Sequence, residues 1–179
     1  MRATIVTSIG EAIEGETISI SDGVVIWRKR RYRCALGASG VNKQKIEGDG
    51  VTPIGCFAIR YILYRADRIP LPRTGLPVQQ LAADDGWCDD PNDKFYNKRV
   101  RLPYVGRTER LFRDDNLYDL IAVLGYNDDP VIPGNGSAIF MHIAQSNYAP
   151  TAGCIALELS DLLSILVDCG LGSRVCIGS

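Results

Sequence analysis

The stretch FMHIAQSNYAPTAGCIAL, residues 140–157, contains the only histidine of the chain, His142, and twelve residues later a cysteine, Cys154, set among small residues. It begins inside SAIFMHIA (residues 137–144), a continuous apolar run that reads as a buried strand and delivers His142 near its end. Pro150 and Thr151 favour a turn, and Ala152 and Gly153 remove side-chain bulk just before the thiol. Downstream, Ser160 reads as an N-cap, Asp161 falls in a first turn, and Leu162, Leu163, Ile165, Leu166 and Val167 follow at helical spacing. Gly170 stands as the C-terminal cap. RVCI (residues 174–177) reads as a final strand. The order strand, His, loop, Gly-Cys, helix, strand lets the two reactive side chains converge across a short return.

Outward from this segment the pattern is short strands and turns. Residues 3–7, ETISI (16–20), VVIW (24–27), YRCAL (32–36) and GCFAIRYILY (55–64) have β-type composition, with SDG (21–23) as a hairpin turn. LYDLIAVLGYN (117–127) reads as another buried strand. Residues 65–110, with RIPLPRTGLP and DDGWCDDPND, read as one long loop of the kind that often carries function. The expectation is a single, mainly β domain over residues 1–179 with one or two short helices.

Composition limits the function classes. The chain has 179 residues, 46% apolar and 23% charged, with 20 basic and 21 acidic residues and a net charge of −1. That balance gives no general electrostatic reason to expect a nucleic-acid partner. No run is long and apolar enough to span a membrane. The first twenty residues do not read as a signal peptide, so the sequence as given reads as cytoplasmic, with the cell envelope or periplasm as the alternative if an export signal has been removed. Oligomeric state is left open. The six cysteines form no C-x-x-C pair and there is one histidine, so zinc patterns are absent and the thiols read as free and mostly buried. No metal or cofactor is expected.

Three other segments carry weaker signals. DDPNDKFYNK places Lys94 where a calcium loop needs a ligand and lacks the required glycine. PGNG (133–136) leads into a strand rather than a helix and reads as a tight turn. RKRRYR (28–33) reads as a solvated strand and turn, or alternatively as a patch for an anionic polymer.

The Cys154 region is different in kind. A cysteine nucleophile needs a base, donors aimed at the developing oxyanion, and open space before the sulfur. His142 is the available base. On the residues alone, a catalytic pair and a pair of structural neighbours both stand.

A resemblance tips that balance. GSAIFMH, APTAGCIAL, DLLSIL and GSRVCI, in this order, resemble the catalytic domain of the L,D-transpeptidases, the YkuD-like family, with its His at a strand end, its Ser/Thr-His-Gly-Cys segment, a helix and a last strand. GDGVTPIGCFAI upstream is similar to that family's Thr-Pro-x-Gly-x-Phe segment, through Thr52, Pro53, Gly55 and Phe57. The likeness is strongest over residues 48–177. It implies a β-sandwich-like fold and acyl transfer on peptidoglycan stem peptides through a thioester. By the same resemblance Cys154 is the nucleophile and His142 the general base and later acid. Gly153 and the Cys154 N–H form the oxyanion hole, and a backbone carbonyl orients the histidine. Thr52 to Phe57 and residues 137–142 are expected in one sheet system.

The chain departs from the family at three places, one of them the interval from His142 to Thr151, which is shorter than the family usually shows. Ala152 stands where the motif has histidine, and Ala156 where an arginine is frequent. Losing that arginine removes a bidentate partner for a carboxylate. Thr151, and from the long middle segment Trp87, Tyr96, Asn97 and Arg113, are candidate substrate contacts. Trp87 could equally plug the loop onto the core, and Arg113 could pair with Asp114. The competing readings are an L,D-carboxypeptidase or other cysteine amidase on the same site, and a catalytically silent wall-binding module. An activated pair would make Cys154 the most reactive of the thiols at neutral pH.

Overall fold

The computed structural model describes residues 17–178, so the run at 3–7 and Glu16 lie outside the described residues. The strands are β1 (Thr17–Ser21), β2 (Val24–Trp27), β3 (Arg30–Arg33), β4 (Val41–Asn42), β5 (Thr52–Pro53), β6 (Gly55–Tyr64) and β7 (Val78–Gln80). They continue as β8 (Asp85–Cys88), β9 (Lys98–Arg101), β10 (Thr108–Arg110), β11 (Leu120–Leu124), β12 (Phe140–Ile143) and β13 (Ile155–Leu157). Helix α1 (Leu159–Leu166) then precedes β14 (Arg174–Ile177). The fold is mainly β, as expected.

A nine-stranded sheet runs in the order β13-β12-β11-β6-β14-β1-β2-β3, with β7 also paired to β6. Strands β1, β2 and β3 form a meander. Its first turn uses Asp22 and Gly23 at positive φ and its second uses Arg28 and Lys29, the left-handed pairs that suit two-residue hairpins. The basic run is thus a turn followed by the exposed edge strand β3. β11 is buried along its whole length, because both sheet faces are covered there.

Alternation along the strands sorts the core into two layers. Leu120, Ala122, Met141 and Ile143 join the larger cluster, with Leu162, Ile165 and Leu166 of α1 packed on it. Ile121, Val123 and Phe140 face the other way, into a smaller cluster with Leu63, Trp87, Leu111, Tyr118 and Cys154. His142, two residues after Phe140, shares that second face.

Several expectations need correction. Residues 65–110 are not one loop, because they hold β7 and the three-stranded sheet β10-β8-β9. These strands are three or four residues long and mostly polar outside β8, which leaves too little apolar pattern to read. Helix α1 begins one residue before Ser160, its N-cap is Glu158 without a side-chain cap bond, and its C-cap is Val167 rather than Gly170. Cys56 and Cys176 are not free thiols. The register of β6 with β14 sets them opposite each other, Cα atoms 4.0 Å apart, and they form a disulfide. Gly55 and Phe57 lie in the large sheet with β12, whereas Thr52 and Pro53 pair with β4 in a separate two-stranded ladder.

Candidate active site

His142 is delivered by a regular ladder. β12 pairs antiparallel with β11, setting His142 across from Ile121, and parallel with β13, setting it beside Ala156. Cys154 directly precedes β13, two residues before Ala156, and so shares the face of His142. Adjacent strands lie about 4.8 Å apart and rise about 3.3 Å per residue, which puts the two Cα atoms about 8 Å apart. Both residues line one cleft of about 620 Å³.

The ring of His142 is fixed on two sides. Nδ1 lies 2.8 Å from the Ile143 carbonyl oxygen, which can only accept, so Nδ1 carries the proton and Nε2 is left as the base. Tyr118 packs edge-on against the ring with centroids 5.2 Å apart. Burial pushes the imidazole down to about 4, with the Arg113 charge adding to it, against the opposing hydrogen bond to Ile143 and the charge of Asp115. At neutral pH His142 is therefore an uncharged base.

Cys154 is held by a loop that is itself clamped. Thr151 N–H donates to Leu36 O at 2.9 Å, and Ala38 N–H to Thr151 O at 2.9 Å. Thr151 Oγ1 donates to Cys154 O at 2.7 Å and accepts from Gly153 N–H at 3.1 Å. Gly153 has φ +134°, and a Cβ there would lie 2.7 Å from the carbonyl oxygen of Val51. The segment 51–52 thus forms the wall behind the loop that carries Cys154, and Thr52 Oγ1 secures the neighbouring chain by accepting from Gly37 N–H at 2.8 Å. This is the physical use of the TPIG segment here.

The thiol donates to Ala138 O at 3.1 Å, and no hydrogen bond joins it to His142. Burial, and then the negative charge of Glu109, push the thiol up to about 12, while the Phe140 N–H and Lys45 act in the other direction. Burial places Cys34 at about the same value. The resting thiol is therefore no more acidic than the buried thiol of Cys34.

The proposed oxyanion donors are not equivalent. Gly153 N–H is engaged by Thr151 Oγ1, which leaves Cys154 N–H as the donor without a protein acceptor among the described residues. Of the candidate substrate contacts, Thr151 and Arg113 line the cleft. Arg113 forms a two-point ion pair with Asp115, at 2.9 and 2.6 Å, rather than with Asp114. Trp87, Tyr96 and Asn97 are buried beneath the cleft. Trp87 packs edge-on against Phe140 at 5.0 Å, Tyr96 bonds its hydroxyl to Glu47, and Asn97 is tied to the backbone. Ala156 lies at the cleft wall with 1% exposure, its N–H and C=O both bonded to Ala35.

Glu109, Tyr118, Lys45 and Ala138 also line the cleft, and no pattern in the sequence pointed to them. Tyr118 donates to Glu109 Oε1 at 2.6 Å and so links a carboxyl group in the cleft to the His142 ring. Burial raises the Glu109 carboxyl above its ordinary range, against the Tyr118 hydrogen bond and the Arg113 charge. Lys45 follows β4, Glu109 lies in β10, Tyr118 precedes β11 and Ala138 precedes β12, so they meet only in the tertiary fold, and a single sequence carries no signal for that.

Among the described residues, no group of three or more His, Cys, Asp or Glu side chains is placed to hold a metal ion. No helix there is long and apolar enough to cross a membrane. Comparison with curated proteins finds no match to the chain. The family model for the L,D-transpeptidase catalytic domain, YkuD, matches residues 13–177, nearly the whole sequence, and the chain belongs to that family.

Proposed function

We propose that this protein is a cysteine-dependent acyl transferase of L,D-transpeptidase type acting on peptidoglycan stem peptides. The observation that carries the reading is the placement of a proton-free His142 Nε2 and the Cys154 thiol on one face of one cleft. With a thiol near 12 and an imidazole near 4, the proton rests on sulfur, so its transfer accompanies attack instead of preceding it. Sγ attacks the substrate carbonyl carbon as its proton passes to Nε2. The oxyanion is stabilised by Cys154 N–H. Collapse breaks the C–N bond, the leaving amine takes the proton from His142, and a thioester remains. An acceptor amine then attacks the thioester, gives its proton to His142, and the thiol is restored.

The Cys56–Cys176 disulfide supports action in an oxidising compartment such as the cell envelope, where peptidoglycan lies. Mass spectrometry after incubation with muropeptides tests the whole reading. The expected result is an acyl adduct on Cys154, absent in Cys154→Ser, together with a cross-linked product. Product without an adduct, or neither, refutes it.

A further inference from the structure

Asn97 sits just before β9 at φ +57°, a left-handed conformation that asparagine tolerates better than most residues. Its amide is saturated. Nδ2 donates to Tyr126 O at 2.9 Å and Asn127 O at 2.8 Å, and Oδ1 accepts from Trp87 Nε1–H at 3.0 Å and Ala138 N–H at 3.0 Å. Two carbonyls and two N–H groups fix which end of the amide points where, because the reverse orientation would oppose like groups at all four contacts. Ala138 is itself at φ +52°, where an L side chain is seldom found. The following residue is anchored separately, by Leu124 N–H donating to Ile139 O at 3.3 Å. Between these two anchors the Ala138 carbonyl is left aimed at Cys154 Sγ.

We infer that Asn97 is a positioning residue for the nucleophile, fixing Ala138 from its N–H side so that its carbonyl receives the Cys154 thiol. The inference rests on Cys154 being the nucleophile, but its mechanism is independent of any substrate. A carbonyl oxygen accepts from S–H and repels S⁻, so the contact fixes the sulfur and holds its proton until His142 takes it. Asn97 acts from below: it lies outside the cleft wall, while Ala138 and Cys154 are part of it.

The test is site-resolved alkylation with iodoacetamide between pH 7 and 10, read by peptide mapping, on the intact protein and on Asn97→Gly and Asn97→Asp. Glycine keeps the backbone conformation and removes the amide. Aspartate still accepts from Ala138 N–H. In Asn97→Gly the Cys154 rate at pH 8 should rise roughly three- to tenfold, because a hydrogen bond to the neutral thiol is lost. Cys34 and Cys169, which a general loosening would also expose, should label no faster. In Asn97→Asp the Cys154 rate should stay at or below that of the unmodified protein. An unchanged Cys154 rate in Asn97→Gly, or equal acceleration at all thiols, overturns the inference. If Asn97→Gly fails to fold, a faster Cys154 rate in Asn97→Asp overturns it instead. No acyl donor enters this assay. A failure here alongside a thioester on Cys154 would remove the role of Asn97 alone.

Discussion

His142 belongs to a strand paired on both sides, its ring anchored to the carbonyl of the next residue, with the sheet's alternation choosing its face. Cys154 ends a loop whose course depends on Thr151, on a glycine at φ +134°, on the carbonyl of Val51 and on a left-handed alanine across the cleft. The difference is one of redundancy. A ladder spreads the positioning of one side chain over many equivalent backbone bonds, whereas the loop concentrates it in a few atoms. A single added methyl can therefore undo the second and barely disturb the first.

The largest expected effect is at Gly153. Gly153→Ala combines a positive φ with a backbone oxygen 2.7 Å from the new Cβ, and neither neighbour can step aside. A loss of about 3–5 kcal/mol is expected in urea denaturation. A loss below about 1 kcal/mol would mean the loop is as forgiving as the ladder.

On the ladder side the test is pH. The unfolded histidine titrates near 6.5 and the folded one near 4, so the unfolded state binds the proton more readily. The contribution of His142 to stability is full above about pH 6.5 and is lost as pH falls towards 4, by up to roughly 3 kcal/mol. Denaturation of the unmodified protein and His142→Gln at pH 7 and pH 4 should show the unmodified protein losing more. Parallel losses would show that the imidazole is not held neutral by burial.

A smaller effect is expected from Glu109, the charge that does most, after burial, to hold the Cys154 thiol up. Glu109→Gln should raise the rate of Cys154 alkylation at pH 8 by roughly threefold. A fall in rate would reverse the assigned sign. Smallest is Ala138→Gly, which relieves a left-handed alanine but adds freedom to the unfolded chain. Thermal denaturation should show stability unchanged to within about 0.5 kcal/mol.

The same contrast explains what could be read from the sequence. β6 coincides with the apolar run at 55–64, and β11 and β12 lie inside the runs read for them, because their side chains are buried on one or both faces. His142 on the sheet and Cys154 beyond a turn follow from those runs and from Pro150 to Gly153. The wall behind Gly153 was legible only as a family segment, since Val51 and Gly153 meet through tertiary packing. Trp87 packing on the core was one of the two readings its sequence allowed, whereas the role of Asn97 was not legible, because composition cannot tell an amide facing a ligand from one that ties two loops together. The Cys56–Cys176 pair needed the register of β6 with β14, which no local pattern supplies.

That disulfide also determines how the protein carries a load. Tension applied between Thr17 and Gly178 first loads the parallel β1–β14 ladder, and once that parts, the covalent path runs through the meander to Cys56, crosses to Cys176 and leaves through the last residues. Everything between the two sulfurs, including both halves of the candidate active site, hangs off that line of force. Reduction puts the intervening 120-residue span into the line and adds roughly 400 Å of extensible contour. Single-molecule pulling with and without reductant would measure that difference directly.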